Sequence, residues 1–198
     1  LELLVTTSEE TGMDGAFALD ASLLSGRRLI NIDSEEEGKL LVSCAGGIGA
    51  TLKLPIEWEA APVGYHGVDV KIDGLSGGHS GMEIDKQRGS ANKIMGRILF
   101  DLESALDLAV VAVDGGSKHN AIPRSATLSL LVKPADEAIL AEKLTKWTEI
   151  LLNELQGVDE GIKLVQSPNE QKVSRVFSKA TTHRLVEILS IVPTGVIN

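Results

Sequence analysis

The sequence predicts an α/β protein in which a partial βαβ piece precedes a complete α+β domain of the ferredoxin-like type. Two apolar, β-prone segments flank a helical pattern within the first 33 residues, which is the order of a βαβ unit. Later segments follow in the order β, α, β, β, α, β, which is the ferredoxin-like order. The 198 residues are 43% hydrophobic and 24% charged, a composition typical of folded globular domains.

Residues 1–46 are predicted to hold the βαβ piece. Residues 1–6 are apolar and β-prone, as is typical of a strand that is buried on both faces. Residues 13–24 show helical spacing and are soon followed by a glycine. Residues 27–33 form the second predicted strand, which ends on Asp33. In such a unit the functional groups are expected at the carboxyl ends of the strands.

Residues 47–170 are predicted to form the complete ferredoxin-like domain, which we call the lid. Its strands alternate apolar and polar residues, so that one face of the sheet lies in water, and apolar residues recur every fourth position along its first helix. Residues 171–198 contain one predicted helix and are expected to return to the domain that residues 1–46 begin. The chain is therefore expected to start and stop within a larger fold. The predicted lid segments, in chain order, are 64–75, 77–105, 106–116, 122–134, 136–157 and 161–168.

The charge and composition exclude several classes of function. The net charge of -9 and the lack of a basic stripe argue against nucleic-acid binding, which needs clustered lysine and arginine. The longest apolar runs are far shorter than the roughly 20 residues of a membrane-spanning helix, so no membrane association is expected. Cys44 is the single cysteine, which allows no intrachain disulfide and fits the reducing cytoplasm, the compartment that we predict.

Acidic residues follow both predicted strands of the βαβ piece. Glu9 and Glu10 come after the first strand, and Asp33 ends the second. Because neighbouring carboxylates repel one another unless a cation offsets their charge, this pattern predicts a metal site. One glutamate can bind zinc while the other accepts a proton from metal-bound water as general base. The alternative is that Glu9 and Glu10 cap the following helix, and the acidic run at 35–37 is interpreted as solvated charge.

Further candidate residues lie in the lid. His79 stands between glycines in GLSGGHSGM, where the backbone can approach a ligand closely and the imidazole can hydrogen-bond a substrate carbonyl. A turn histidine that caps the next helix is the alternative. Asn120 and Arg124 lie in a loop between two predicted strands and can offer hydrogen-bond donors to a carboxylate. A plain turn explains these two residues equally well.

Five segments, taken together, resemble the aminoacyl-histidine dipeptidases, which belong to the aminoacylase and carboxypeptidase-like clan of zinc peptidases. They are TTSEETGMDGAF, INIDSEEEG, CAGGI, GLSGGHSGMEI and HNAIPRSA, and they keep the order of the family across nearly the whole chain. The resemblance implies hydrolysis of small dipeptides that end in histidine, by a zinc-activated water. It also implies two zinc ions, for which manganese or cobalt can substitute, and a homodimer.

The resemblance implies a role for each candidate residue. Glu9 is expected to be the general base, Glu10 a ligand of one zinc ion and Asp33 a ligand of the other. His79 is expected to stabilise the scissile carbonyl and thereby to act in both catalysis and substrate binding. Asn120 is expected to help hold the substrate.

The family's metal site also needs residues that these 198 do not include. Its upstream His-x-Asp segment, which supplies one zinc ligand and a bridging aspartate, is absent, and His183 lies too early to be the downstream histidine. We therefore predict that the 198-residue chain by itself is inactive and binds metal weakly. The alternative function is a ferredoxin-like lid that forms dimers or binds a small molecule without catalysis.

Overall fold

The computed structural model describes residues 1–33, 37–44 and 46–196. The chain divides into two compact units, residues 1–50 and residues 51–198. None of the helices in the described residues is long and apolar enough to cross a membrane.

The first unit is built from turns and one short helix. Helix α1 spans Asp14–Phe17, and 3-10 turns at Glu9–Thr11 and Ala21–Leu23 flank it. Gly15 lies where two segments approach closely, since a Cβ atom there would be 2.5 Å from the backbone nitrogen of Thr7. The backbone N–H of Gly15 donates to the carbonyl of Thr7 at 3.2 Å, so the segment before the first turn is held against α1.

The two strands predicted at 1–6 and 27–33 are not formed among the described residues of this unit. Their apolar side chains are exposed, for example those of Val5 and Ile32. A strand of this kind is stable only when neighbouring strands take up its backbone hydrogen bonds and other elements cover both faces. The described residues of the first unit provide neither. The helix predicted over 13–24 is likewise reduced to α1 and the second 3-10 turn.

The second unit contains the lid and the remaining elements. In chain order these are β1 Trp58–Ala60, β2 His66–Asp73, β3 Gly78–His79, α2 Ala91–Ala105, β4 Leu108–Gly115, β5 Ala121–Ile122, β6 Ala126–Val132, α3 Glu137–Glu154, β7 Lys163–Asn169, β8 Arg175–Phe177 and α4 Lys179–Ile191. Strands β3 and β5 form one two-stranded sheet, and β1 and β8 form another.

The four longer strands form one antiparallel sheet in the order β4-β6-β2-β7. Helix α2 connects the first two of these strands in the chain and α3 connects the last two, so the predicted ferredoxin-like order β-α-β-β-α-β is confirmed. Helix α2 ends at the predicted residue but begins only at Ala91, because residues 77–90 contain β3 and a 3-10 turn at Ile84–Lys86 where the first part of the helix was predicted. Along β2, the side chains of Val68, Val70 and Ile72 are buried and those between them are less so, as expected when one face of a sheet lies in water.

The core of the second unit lies between the sheet and its two connecting helices. Met95, Ile98 and Leu102 of α2 belong to one buried cluster with Leu128 of β6 and Leu140 of α3. Burying an apolar side chain of this size contributes about 1.5–3 kcal/mol to stability. The cluster therefore fixes both helices on the same face of the sheet.

Helix α4 packs on α2. Gly96 permits this approach, because a Cβ atom there would be 2.5 Å from the Cβ of Leu189. The Lys93 ammonium group donates to three carbonyls at the C-terminal end of α4, including those of Leu189 and Val192 at 3.1 Å and 2.9 Å. A cation at this end satisfies free carbonyls and complements the helix dipole. The assignment of residues 171–198 to a separate domain stays a prediction.

Candidate functional site

The two glutamates of the first unit lie in an exposed turn. Glu9 and Glu10 begin the first 3-10 turn, and Ser8 and Met13 on either side have positive φ angles of 62° and 58°. The backbone N–H of Met13 donates to the carbonyl of Ser8 at 2.7 Å and closes the turn. Met13 is the N-cap residue of α1 and makes no side-chain cap. Among the described residues, neither glutamate shows the helix-capping hydrogen bond that was the alternative for this pair.

The third carboxylate of the predicted metal site is that of Asp33. Asp33 is exposed, and its backbone N–H donates to Oδ1 of Asn31 at 2.8 Å. In the part of the chain that the structure describes, no three His, Cys, Asp or Glu side chains are grouped so that they could hold a metal ion. The predicted convergence depended on two strands that are not formed among the described residues of the first unit. Because zinc in proteins takes at least three side-chain ligands, the described residues do not fit this metal by themselves. The acidic residues at 35 and 36 lie outside the described residues.

His79 lies in β3 and pairs with Ala121 of β5. Its ring Nδ1 accepts the backbone N–H groups of Gly81 and Met82, both at 3.1 Å. A neutral imidazole that accepts at Nδ1 carries its hydrogen on Nε2. Nδ1 therefore acts as expected for a histidine that stabilises a turn, which was the alternative interpretation of His79. The other nitrogen is a hydrogen-bond donor with no partner among the described residues.

Glu83 holds the backbone of His79 in place. One carboxylate oxygen accepts the N–H of His79 at 3.0 Å, and the other lies 2.7 Å from the Lys86 ammonium and 3.1 Å from the Arg88 guanidinium. The hydrogen bond from Lys86, then that from the His79 backbone, and the charge of Arg88 lower the pKa of Glu83 to about 2. A side chain at Gly78 would disturb this group, since its φ is +141° and a Cβ atom there would displace Arg88 Nη1 and Glu83 Oε2, which would lie 2.5 Å and 2.6 Å away.

A cavity of about 540 Å³ lies beside β3 and β5. His79, Asn120, Arg124 and Asp114 are among the residues that line it. The backbone carbonyl of Asn120 accepts the N–H of Ser80 at 2.9 Å, which ties the two loops together. The structure thus brings the lid residues that the sequence singled out to one cavity. Small-molecule sites in proteins commonly measure about 300–1,000 Å³, so the space suits a ligand of dipeptide size.

Three residues of this region were missed at the level of the sequence. Asp114 lies near the end of β4, just as Asp33 lies at the end of the second predicted strand. The same pattern, an acidic residue at the end of an apolar strand, could therefore have identified it. Glu83 follows His79 by four residues, a spacing that would have suggested a local contact. Arg88 carries no such signal, because its partners are fixed only by the fold of the loop.

Two comparisons of sequence relate the chain to peptidases. Residues 70–159 match the family model described as the peptidase dimerisation domain. The cytosol non-specific dipeptidase of Escherichia coli is 39% identical to this chain over 198 residues, which are all of this chain and 40% of that protein.

A comparison of structures gives the same relationship. The crystal structure of aminoacylhistidine dipeptidase from Vibrio alginolyticus matches with a TM-score of 0.79 and 37% sequence identity. The match covers 98% of this chain and 39% of that chain. The chain thus spans about two fifths of the length of these relatives, and the similarity includes both the acidic turn and the lid cavity.

Proposed function

We propose that the protein is a metal-dependent dipeptidase of the aminoacyl-histidine dipeptidase family and that it cleaves Xaa-His dipeptides. The observation that supports the proposal best is the similarity to two dipeptidases over almost all of this chain, at 39% and 37% identity. Because the chain spans about two fifths of their length, the activity is proposed for a protein of the relatives' length.

The lid residues supply the polar groups for the substrate in this proposal. The Nε2–H of His79 donates to the carbonyl oxygen of the scissile peptide bond, where negative charge develops during hydrolysis. Asn120, on the same cavity, helps to hold the dipeptide, and Arg124 offers a planar pair of donors that suits a terminal carboxylate. The cavity therefore offers donors to both oxygen-bearing groups of a dipeptide.

The acidic residues of the first unit are proposed as a partial metal site. Glu9 is the general base, and Glu10 and Asp33 are metal ligands, on the resemblance of their segments to those of the dipeptidases. Among the described residues these side chains do not form a group of three that could hold a metal ion, so the proposal requires further ligands from outside this set. Zinc is the proposed metal, and manganese or cobalt would also accept carboxylate ligands.

The function is tested by one substitution at the proposed base. In a protein of the relatives' length, release of histidine from an Xaa-His dipeptide is expected to require metal. Glu9→Ala is expected to lower kcat by about 10²–10⁴-fold, the usual contribution of general acid–base catalysis. Glu142→Ala, at an exposed position of α3, serves as the matched control and is expected to leave turnover unchanged.

Unchanged turnover in Glu9→Ala, or full activity after removal of metal, would remove the enzyme proposal for this site. The isolated 198-residue chain gives a second measurement, since it is expected to release no histidine and to bind metal weakly. Two tightly held zinc ions per isolated chain would contradict the assignment of only part of the metal site to these residues.

A dimerisation module without catalysis is the second candidate function. It is favoured by the description of the family model that covers residues 70–159. The two candidates differ in the outcome of the activity measurement, because a module of this kind would dimerise and show no turnover in any variant. In either case we propose that the protein forms a homodimer and acts in the cytoplasm.

A further inference from the structure

The segment that carries His79 is bonded at both of its ends to one buried carboxylate. We call residues 76–89 the histidine segment. At its start, the backbone N–H of Ser76 donates to Oδ1 of Asp159 at 2.7 Å. At its end, the backbone N–H of Gly89 donates to Oδ2 of Asp159 at 2.7 Å. Asp159 lies between α3 and β7, 70 residues beyond the nearer of its two partners.

We propose that Asp159 is a positioning residue of the dipeptidase. It fixes both ends of the histidine segment and thereby sets the place of His79 at the cavity. The inference rests on the proposed function, because that function gives His79 its role. Ser76 itself lines the cavity, so one of the two anchored ends adjoins the proposed substrate directly.

The burial of Asp159 indicates that its carboxylate has a role other than filling space in the core. The residue is 2% exposed, and it is the one buried acidic or basic residue in the described part of the chain. Removing a carboxylate from water is costly unless hydrogen bonds to its oxygens replace the lost hydration. Hydrogen bonds from backbone N–H groups to an ionised oxygen are shorter and stronger than those to a neutral one. A carboxylate also has an acceptor for each of the two loop ends, which an amide side chain does not.

Asp159 is itself held firmly. Its backbone N–H donates to the carbonyl of Leu155 at 2.9 Å, and its carbonyl accepts the N–H of Ile162 at 3.2 Å. Gly74 has a φ of +79°, and a Cβ atom at this position would collide with the carbonyl oxygen of Gly161. The connection that carries Asp159 therefore lies directly against the chain that leads into the histidine segment.

The middle of the histidine segment has its own anchors. Strand β3 pairs with β5, and Glu83 accepts the backbone N–H of His79. Both ends of the segment are bonded to Asp159, and its middle is held by β5 and Glu83. The backbone that carries the imidazole is therefore fixed at three places along the segment. Productive geometry in enzymes is sensitive to displacements of about 1 Å, so loosening one of these anchors is expected to affect turnover.

The first test uses the 198-residue chain and does not depend on activity. In the wild-type chain, nuclear magnetic resonance is expected to detect scalar couplings across the hydrogen bonds, from the amide nitrogens of Ser76 and Gly89 to the carboxyl carbon of Asp159. In Asp159→Asn, which keeps the size of the side chain but replaces one acceptor by a donor, at least one of these amides is expected to exchange roughly tenfold faster relative to the amides of β6. The ring nitrogen shifts of His79 are expected to change as well.

Leu144→Ala is the matched control for loss of stability. It removes a buried side chain of α3 without touching either end of the histidine segment. Leu144→Ala is expected to speed amide exchange by the same factor at Ser76, at Gly89 and in β6. The ring nitrogen shifts of His79 are expected to stay unchanged in this variant. Absence of the couplings in the wild-type chain, or unchanged His79 shifts in Asp159→Asn, would overturn the proposal.

The second test uses an active protein of the relatives' length. Asp159→Asn is expected to lower kcat about tenfold. In a protein that already carries His79→Ala, the same substitution is expected to lower kcat by less than about twofold, because the effects of substitutions at interacting residues do not add. A residue that only stabilises the fold would have the same effect in both backgrounds, and that result would overturn the proposal. If the wild-type protein shows no dipeptidase activity, the proposed function fails, while the couplings and the His79 shifts still decide whether Asp159 positions the histidine.

Discussion

Glu83 connects the electrostatics of the lid to the position of the proposed catalytic imidazole. Its carboxylate accepts a hydrogen bond from the backbone N–H of His79 and lies beside both Lys86 and Arg88. These contacts favour the ionised form, which is why the pKa of Glu83 falls from 4.5 to about 2. The charge of the half-buried Glu83 therefore helps to determine the backbone conformation of His79.

Protonation of Glu83 is expected to loosen the backbone at His79. The pKa of Glu83 in the folded chain lies below its ordinary value of 4.5, so its contribution to stability is present above that pH and is lost as the pH falls toward about 2. The amide proton shift of His79, followed by nuclear magnetic resonance, is expected to titrate with a midpoint near the lower value. A midpoint near 4.5 would contradict the network of contacts around Glu83.

Glu83→Gln separates this effect from general acid unfolding. The variant has no carboxylate at any pH, so the low-pH step in the His79 shift is expected to disappear and the amide to exchange faster at neutral pH. Glu142→Gln, at an exposed position of α3, changes the charge of the chain equally and is expected to keep the step. Loss of the step in both variants would assign it to the net charge and not to Glu83.

The candidate site could be predicted from the sequence only where its residues are close in the chain or belong to a family motif. His79 and Asn120 were found in this way, and the structure places both at one cavity. The contact of Asp159 with the ends of the histidine segment could not be predicted, because it joins residues 70 and 83 positions apart and follows from the way the chain returns to β7. The roles of Glu9 and Asp33 stay predictions.

At the scale of elements, the periodicity of apolar residues predicted those helices and strands that are long and buried on one side. Helix α2 and the four strands of the main sheet have such patterns, and all five were found. Strands β3 and β5 have two residues each, too few for any alternation, and they form only because distant loops meet. The segments at 1–6 and 27–33 are the opposite case: their composition is β-prone, but a strand also requires partners, and composition does not supply them.

The end of α4 provides a test of stabilisation between elements. Lys93→Met keeps the aliphatic stem but removes the ammonium group that bonds three carbonyls at this end. We expect a loss of about 1 kcal/mol in the free energy of unfolding, the size of a typical hydrogen-bond contribution. For a chain of this length that is a fall in Tm of roughly 2–4 °C, measurable by circular dichroism.

The exposed Lys172 provides the matched control for this prediction, because Lys172→Met makes the same change of charge without touching α4. Its Tm is expected to stay within about 1 °C of the wild type, since surface substitutions usually change stability little. An equal fall in both variants would show that the net charge, and not the end of α4, is responsible.

At the scale of the whole molecule, the main sheet has two edge strands, β4 and β7. An unpaired strand edge offers backbone groups to a second chain. Together with the match to a dimerisation domain, this supports the proposed homodimer. Light scattering of the 198-residue chain is expected to give twice the 21.0 kDa mass of one chain, and a mass of 21.0 kDa at every concentration tested would contradict a dimer formed by these residues.

The pairing of β1 with β8 has a mechanical consequence for the second unit. The strands are antiparallel, and Trp58, where the first begins, lies opposite Phe177, where the second ends. The chain therefore arrives at and departs from the same end of this short sheet. A force transmitted along the neighbouring backbone would first load the contact just outside this pair, where the N–H of Ser178 donates to the carbonyl of Glu57 at 2.8 Å. It would then separate the three residue pairs one after another, as in peeling, instead of shearing all of them together. Pulling on the flanking chain is therefore expected to open this junction pair by pair.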